Sequence, residues 1–170
     1  MDFYNVAAPL AGVLALVVAF VLARWVKSQN AGTESMQEIS SYIKQGSMAF
    51  LTREYKVIVI FAAVLFIVLG LAISWVMAGC FILGALFSVL AGFFGMTCAT
   101  DANVRTAEAA RSSGMGKALS VAFRGGSVMG LSVAGLGILG VGILFVLLGR
   151  ENLDMIAGFS LGASSIVLFG

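Results

Sequence analysis

The sequence predicts an all-α fold, a polytopic bundle of transmembrane helices with four complete spans and a truncated fifth. Hydrophobic residues make up 61% of the chain and charged residues 11%, whereas a soluble domain carries about 25% charged residues. The apolar residues form long runs without charge, and one span needs about 20 such residues. Glycine is also frequent, at 21 residues against one proline, which suits closely packed membrane helices.

The first predicted span covers residues 6–27. Pro9 lies near its start, where a missing N–H costs little. Arg24 and Lys27 close the run, with Trp25 between them at interface depth. Because the positive charge follows the apolar run, and does not precede it as in a cleavable signal peptide, we interpret this segment as a retained helix with its N-terminus outside.

The second and third spans are predicted at 57–75 and 79–100, because no charged residue occurs between Lys56 and Asp101. That interval is long enough for two crossings and a tight turn. The turn is marked by Ser74, Trp75 and Gly79.

The connections next to these spans are predicted to be helical as well. Ser35 and Glu38 have the spacing of a capping box, and the polar helix that they begin is expected to run through Tyr55 into the second span. Its apolar face would contain Met36, Ile39, Ile43, Gly46 and Phe50. The third helix is expected to extend beyond the membrane and to break at Ser113, Gly114 and Gly116.

The fourth span is predicted at 125–149 and the fifth at 155–170. The fifth is short for a complete crossing, and no basic residue closes it. We therefore expect residues 1–170 to be one membrane portion, the N-terminal one, of a larger helical membrane domain.

Charge placement predicts the orientation of the bundle. Nine of the ten basic residues fall in two connections on one side of the membrane: Arg24, Lys27, Lys44, Arg53, Lys56, Arg105, Arg111, Lys117 and Arg124. Only Arg150 falls on the other side, beside Glu151 and Asp154. The positive-inside rule assigns the basic connections to the cytoplasm and the N-terminus to the outside.

Few residues are candidates for chemistry. The glutamates of the basic connections could ligate Mg²⁺ or act as bases, although surface helices carry such charges routinely: Glu34, Glu38, Glu54 and Glu108. Arg105 with Asn103 could bind phosphate oxygens, or Arg105 could be an interfacial anchor paired with Asp101 at i, i+4. Glu108 and Arg111 form a second expected pair, at i, i+3.

Glycine and charge patterns inside the spans favour a scaffold. Gly125 and Gly126 resemble a phosphate-cradling turn only weakly. No Asp, Glu, Lys or Arg lies within a predicted span, whereas ion pathways ordinarily need such residues. Stripes of small residues at helical spacing instead predict packing seams: Ala7, Ala11, Ala15, Ala19, Ala23; Gly84, Ser88, Gly92; Gly126, Gly130, Ala134; Gly158, Gly162.

Five stretches in order along the chain resemble one known family. They are GSMAFLTREYK at 46–56, LAGFFGM at 90–96, ANVRTA at 102–107, FRGGSVMGL at 123–131 and GFSLGASSIVLFG at 158–170. Together they are similar to the N-terminal part of the membrane-bound, ion-translocating inorganic pyrophosphatases.

The resemblance implies a homodimer of about sixteen-helix subunits arranged in two rings, with the first four helices in the outer, supporting ring. It implies Mg²⁺-dependent hydrolysis of inorganic pyrophosphate coupled to H⁺ or Na⁺ transport, in some members with K⁺, and no nucleic-acid partner. No residue of 1–170 matches a catalytic, cofactor-binding or metal-ligating position of the family. The chain alone is therefore expected to be inactive.

Two other functions fit the composition. The chain could be a non-catalytic scaffold or accessory subunit of a transporter, or a piece of another secondary transporter. The two halves of the chain show no repeat, which disfavours the second alternative. Without a transit peptide, the expected location is a prokaryotic plasma membrane, with H⁺ or Na⁺ selectivity left open.

Overall fold

The computed structural model describes residues 3–149 and 152–167, and all of its regular elements are α-helices. In chain order these are α1 (Phe3–Lys27), α2 (Glu34–Ala72), α3 (Trp75–Ser113), α4 (Met115–Leu148) and α5 (Leu153–Val167). The predicted all-α class is thus confirmed. Arg150 and Glu151, on which the predicted orientation depends, lie outside the described residues, as does the end of the predicted fifth span.

Within the described residues, four helices are long and apolar enough to cross a membrane, namely Ala7–Lys27, Glu34–Ala72, Trp75–Ser113 and Met115–Leu148. This agrees with the four predicted complete spans. A helix of 39 residues such as α2 or α3 is about 58 Å long, well beyond the bilayer core of about 30 Å. The two longest helices therefore project from the membrane, as predicted for the connections that contain Tyr55 and Arg105.

The start of α2 differs from the prediction. The residue that caps it is Thr33, whose Oγ1 accepts a hydrogen bond from the Met36 backbone N–H at 3.4 Å. The predicted capping box at Ser35 and Glu38 is wrong, because Thr33 already supplies the extended backbone and the side-chain oxygen two residues earlier. The carboxylate of Glu38 instead accepts a hydrogen bond from the Tyr42 hydroxyl at 2.9 Å.

The two tight connections lie at Ser74 and Gly114, two of the predicted positions, whereas Trp75 and Gly79 belong to α3 and Gly116 belongs to α4. Between α2 and α3, the Ser74 hydroxyl accepts a hydrogen bond from the Met77 N–H at 3.1 Å and so begins the next helix. Between α3 and α4, the chain reverses at Gly114 alone, whose φ of 85° is unfavourable for a side-chain-bearing residue.

Helix α3 lies at the centre of the bundle, in contact with α2, α4 and α5, while α1 packs mainly against α4. In the seam between α1 and α4, a side-chain carbon on Gly12 would lie 2.8 Å from the Gly135 carbonyl oxygen. Pro9 fills the space beside Gly142 in the same seam. The predicted alanine stripe of α1 is confirmed in part: Ala19 is buried, but the closest approach occurs at Gly12, which does not belong to it.

The seam between α3 and α5 is closer still. A side-chain carbon on Gly84 would collide with the backbone carbonyl of Phe159, and one on Gly162 would collide with that of Phe81. Gly158 lies in the same seam. The seam predicted at Gly158 with Gly162 is therefore confirmed. The stripe predicted at Gly84, Ser88 and Gly92 is confirmed at Gly84 only, since a side-chain carbon on Gly92 would meet the Tyr55 hydroxyl of α2, at 3.8 Å.

The stripe of small residues predicted on α4 lies on the exposed face of the helix and not on the packed one. Gly126 and Gly130 are exposed, and a side-chain carbon added to either would meet open space, whereas Gly125 and Gly135 are buried against neighbouring helices. Small residues recur on two faces of α4, and residues one position apart differ by about 100° around a helix. The spacing alone therefore could not select the packed face.

Candidate functional site

The basic connections come together at one end of the bundle, which is the candidate functional site. Side chains there join α1 to α3, α2 to α3 and α1 to α4. The end is hereafter called the basic end, and its central residues are Trp25, Lys44, Asp101, Arg105 and Glu108.

Arg105 anchors the C-terminal end of α1. Its guanidinium donates hydrogen bonds to the backbone carbonyls of Lys27 at 3.2 Å, Gln29 at 3.2 Å and Asp101 at 2.7 Å. The carbonyls that end a helix have no partner within it, and they carry partial negative charge, so a cation stabilises them. Arg105 thus holds the end of α1 to α3, and its predicted role as an anchor at the membrane interface stays a prediction.

The predicted phosphate pair is not assembled. Asn103 is exposed, while Arg105 is turned toward the end of α1, where two of its nitrogens donate to the carbonyls of Lys27 and Gln29, and its third nitrogen donates to the Asp101 carbonyl of α3. Residues two positions apart do not face each other on a helix, which explains their separation. The structure therefore gives no support to a phosphate site made by these two side chains.

The Asp101 carboxylate has a different partner from the predicted one. It forms an ion pair with Lys44 of α2 at 3.1 Å, with the Asp101 side chain 17% exposed and that of Lys44 45% exposed. Arg105 bonds the backbone carbonyl of Asp101, not its carboxylate. The predicted Asp101–Arg105 ion pair is wrong, because the carboxylate is paired with the ammonium group of Lys44 from another helix. The pair that does form connects α2 to α3.

The predicted pair of Glu108 and Arg111 is confirmed. Arg111 donates to both carboxylate oxygens of Glu108, at 2.9 and 3.0 Å, although Glu108 is only 4% exposed. These hydrogen bonds lower the pKa of Glu108 and raise that of Arg111. Gly32 of the α1–α2 connection lies directly over the carboxylate, where an added side-chain carbon would be 3.1 Å from Oε2. Both oxygens of the Glu108 carboxylate thus accept hydrogen bonds from Arg111, and Gly32 lies beside it, so the carboxylate is not available to act as a general base.

Trp25 connects α1 to α4. Lys117 Nζ lies 5.0 Å and Arg124 Cζ 3.8 Å from its ring centroid, so two cations of α4 contact the indole. Such contacts contribute about 0.5–2 kcal/mol each, depending on desolvation. The sequence suggested only an interfacial tryptophan, and its partners, about a hundred residues away, left no local signal.

The remaining candidates do not form a metal site or a phosphate cradle. Among the residues that the structure describes, no three His, Cys, Asp or Glu side chains are grouped to hold a metal ion. Asp101 and Glu108 are engaged in ion pairs, so these two carboxylates are not free to ligate Mg²⁺. Gly125 lies within helix α4 and packs against Ala102 of α3, and its neighbour Gly126 is exposed. The weak phosphate-turn interpretation of this glycine pair is therefore not supported.

Comparison with known proteins gives a consistent match. The family model described as inorganic H⁺ pyrophosphatase matches residues 13–170. A putative K⁺-stimulated pyrophosphate-energized sodium pump of Clostridium tetani is 54% identical over 99% of this chain. A K⁺-insensitive pyrophosphate-energized proton pump of Methanosarcina mazei is 44% identical over 95% of it, and a K⁺-stimulated sodium pump of Thermotoga maritima 42% over 81%. The chain spans 25%, 24% and 22% of these three relatives' lengths.

Proposed function

The chain belongs to the inorganic H⁺ pyrophosphatase family, and on that premise we propose that it forms supporting helices of an ion pump driven by pyrophosphate hydrolysis. The whole protein would couple this hydrolysis to transport of H⁺ or Na⁺ across the membrane. The observation that carries the proposal is the family match over residues 13–170, together with relatives whose names specify both pyrophosphate and a pumped ion.

A supporting role, separate from the chemistry, agrees with the described side chains. The charged groups of the basic end hold helices together through ion pairs and carbonyl contacts, and the apolar segments carry no charge from residue 57 to 100 or from 125 to 149. Mg²⁺, and K⁺ if required, would bind to residues other than those described here. We further propose that the complete protein is a homodimer.

The proposed orientation places the basic end in the cytoplasm and the N-terminus outside, in a plasma membrane. Its support is that residues from both basic connections touch one another, as Lys44 and Asp101 do, so the positive charge is concentrated at one end of the bundle. Pyrophosphate, a cytoplasmic anion, would then be hydrolysed on the side where this charge lies.

A chimera tests the function directly. The quarter of the Clostridium tetani relative that this chain matches is replaced by residues 1–170, and inverted membrane vesicles are assayed for Mg²⁺-dependent pyrophosphate hydrolysis and for Na⁺ and H⁺ uptake. We expect hydrolysis and uptake of one ion to be retained. A matched chimera with four apolar helices of an unrelated membrane protein should have neither activity.

The outcome also separates the alternatives. If the chimera is inserted at the level of the natural relative but lacks hydrolysis, the supporting role in this enzyme is wrong and an accessory role in another transporter is favoured. Residues 1–170 expressed alone should hydrolyse no pyrophosphate, and turnover by the isolated chain would contradict the assignment of catalysis to other parts of the protein.

A further inference from the structure

A groove on the surface of the bundle is lined by both apolar and charged residues, whereas a packing seam between membrane helices is lined by small and apolar ones. It encloses about 670 Å³ between α1, α3 and α4, within the range of about 300–1,000 Å³ that is typical of ligand pockets. Its lining residues are Leu16, Ala19, Phe20, Ala23, Arg24, Lys27, Phe94, Thr97, Cys98, Asp101, Val128, Ser132 and Leu136. We refer to it as the α1–α3–α4 groove.

The residues that line the groove change from apolar to charged between its deep part and its mouth. Its deep part is apolar, with Leu16, Phe94 and Leu136, and its mouth at the basic end carries Arg24 and Lys27. Leu16 and Lys27 are eleven positions apart on α1, which corresponds to about 16 Å along a helix. This length equals about half of a bilayer core of about 30 Å, and hence the acyl region of one leaflet.

The mouth has an excess of positive charge. The Arg24 guanidinium lies 5.4 Å from the centroid of the Phe20 ring in the groove wall, and within the described part of the chain neither Arg24 nor Lys27 forms an ion pair. The carboxylate at the mouth, Asp101, is neutralised by Lys44 at 3.1 Å. Arg24 and Lys27 are thus available to bind an anion at the depth of the lipid headgroups.

A buried hydroxyl lies just below this charged mouth. Within the described residues, Thr97 Oγ1 is buried without a hydrogen-bond partner. It is one turn deeper than Asp101, about 6 Å along α3. A buried hydroxyl without a partner is costly in an apolar medium. After rotation of the Thr97 side chain toward the groove that it lines, an ester carbonyl between headgroup and acyl chain would accept its hydrogen bond.

We propose that the α1–α3–α4 groove binds one anionic phospholipid, taken from the leaflet at the basic end. The acyl chain lies against Leu16, Phe94 and Leu136, and the phosphate lies between Arg24 and Lys27. Basic pockets between helices at this depth recognise anionic headgroups through charge, whereas the apolar floor selects a lipid over a free anion. The binding itself does not depend on the proposed pump function, although assignment of that leaflet to the cytoplasm rests on the proposed orientation.

Native mass spectrometry of the delipidated full chain tests the site. Phosphatidylglycerol and phosphatidylcholine with identical acyl chains are titrated separately, and the population of the complex with one lipid is measured. We expect tighter binding of phosphatidylglycerol. The double variant Arg24→Gln/Lys27→Gln should lower this affinity about thirtyfold, from two lost charges near a membrane surface, and should not change phosphatidylcholine binding.

A matched double variant separates the groove from general surface charge. Arg53→Gln/Lys56→Gln removes two exposed cations from α2, outside the groove, and should leave phosphatidylglycerol binding unchanged. Ala23→Phe, which narrows the groove, should weaken binding, whereas Val21→Phe on the outward face of α1 should not. Circular dichroism of each variant establishes that the helices are retained.

Four outcomes would overturn the proposal. They are equal binding of the two lipids, equal loss in both double variants, displacement of the lipid by millimolar inorganic phosphate, and a dimer mass that appears only when lipid is absent. The second would indicate diffuse surface charge, the third a free-anion site, and the fourth a groove covered by a second copy of the chain.

Discussion

The two sides of α3 hold their neighbouring helices in different ways. Toward α5, the glycines Gly84 and Gly162 bring backbone against backbone. Toward α2, larger side chains leave an open apolar groove of about 620 Å³, and the contact is reinforced at the basic end by Lys44 and Asp101. A seam of glycines fixes a helix by shape and has no tolerance for added volume, whereas a contact made by side chains can repack.

The difference between the two sides of α3 is tested most directly by adding volume to each of them. Gly84→Leu should destabilise the bundle by about 3 kcal/mol, because the side chain would collide with the Phe159 backbone and α5 would have to move. Gly79→Leu, on the same helix but beside the open groove toward α2, should change the stability by less than about 1 kcal/mol. Unfolding by sodium dodecyl sulfate in mixed micelles measures both. Equal destabilisation by the two variants would show that the sides do not differ.

A second experiment concerns Arg105, which holds α1 by hydrogen bonds and not by shape. Arg105→Gln should lower the free energy of unfolding by about 1–2 kcal/mol, since the end carbonyls of α1 lose charged donors. A cysteine crosslink between α1 and α3 should then form more slowly. The exposed Arg53→Gln is the control. A result for Arg105→Gln no larger than for this control would mean that water replaces the guanidinium without cost.

The ion pair that connects α2 to α3 should have a smaller effect. In a double-mutant cycle with Lys44→Met and Asp101→Asn, we expect a coupling energy of about 0.5–1 kcal/mol, as for partly exposed pairs. The coupling should decrease at high salt, because solvent ions screen the pair. A coupling energy of about 3 kcal/mol that does not change with salt concentration would indicate that the α2 contact is as rigid as the α5 seam.

The smallest expected effect is the pH dependence of Glu108. Arg111 lowers the folded-state pKa of this carboxyl below its unfolded value, so its contribution to stability is complete above the unfolded pKa and is lost as the pH falls through the folded one. Glu108→Gln should remove this part of the acid sensitivity, whereas Glu34→Gln on the exposed start of α2 should retain it. Unfolding measured between pH 7 and pH 3 (about the range in which carboxylates titrate) decides between them. Identical pH profiles for the two variants would contradict the role of the pair.

Local features were predictable from the sequence, whereas contacts between helices were not. The helix breaks at Ser74 and Gly114 and the pair of Glu108 with Arg111 depend on residues a few positions apart, which a linear pattern records. The partners of Asp101 and Trp25 come from other helices, and their choice depends on tertiary packing. The family followed from ordered motifs, which composition and periodicity could not have supplied.

The packed face of a helix was predictable only where small residues form a single ridge on that helix. On α5, Gly158 and Gly162 form a single glycine ridge, and the seam was found correctly. On α4 two ridges compete, and the one that contains Gly135 is packed while the one that contains Gly130 is exposed. The α1–α3–α4 groove left no linear signature, because three helices contribute to it.

The short connection between α2 and α3 also constrains how the chain is made. Only Ile73 and Ser74 separate the two helices, and the Ser74 N–H still donates to the Leu69 carbonyl at 3.0 Å. A link of this length favours entry of both helices into the bilayer together, as a hairpin during synthesis. The apolar segments then share the free energy of insertion, so that a polar substitution in one can be offset by the hydrophobicity of the other.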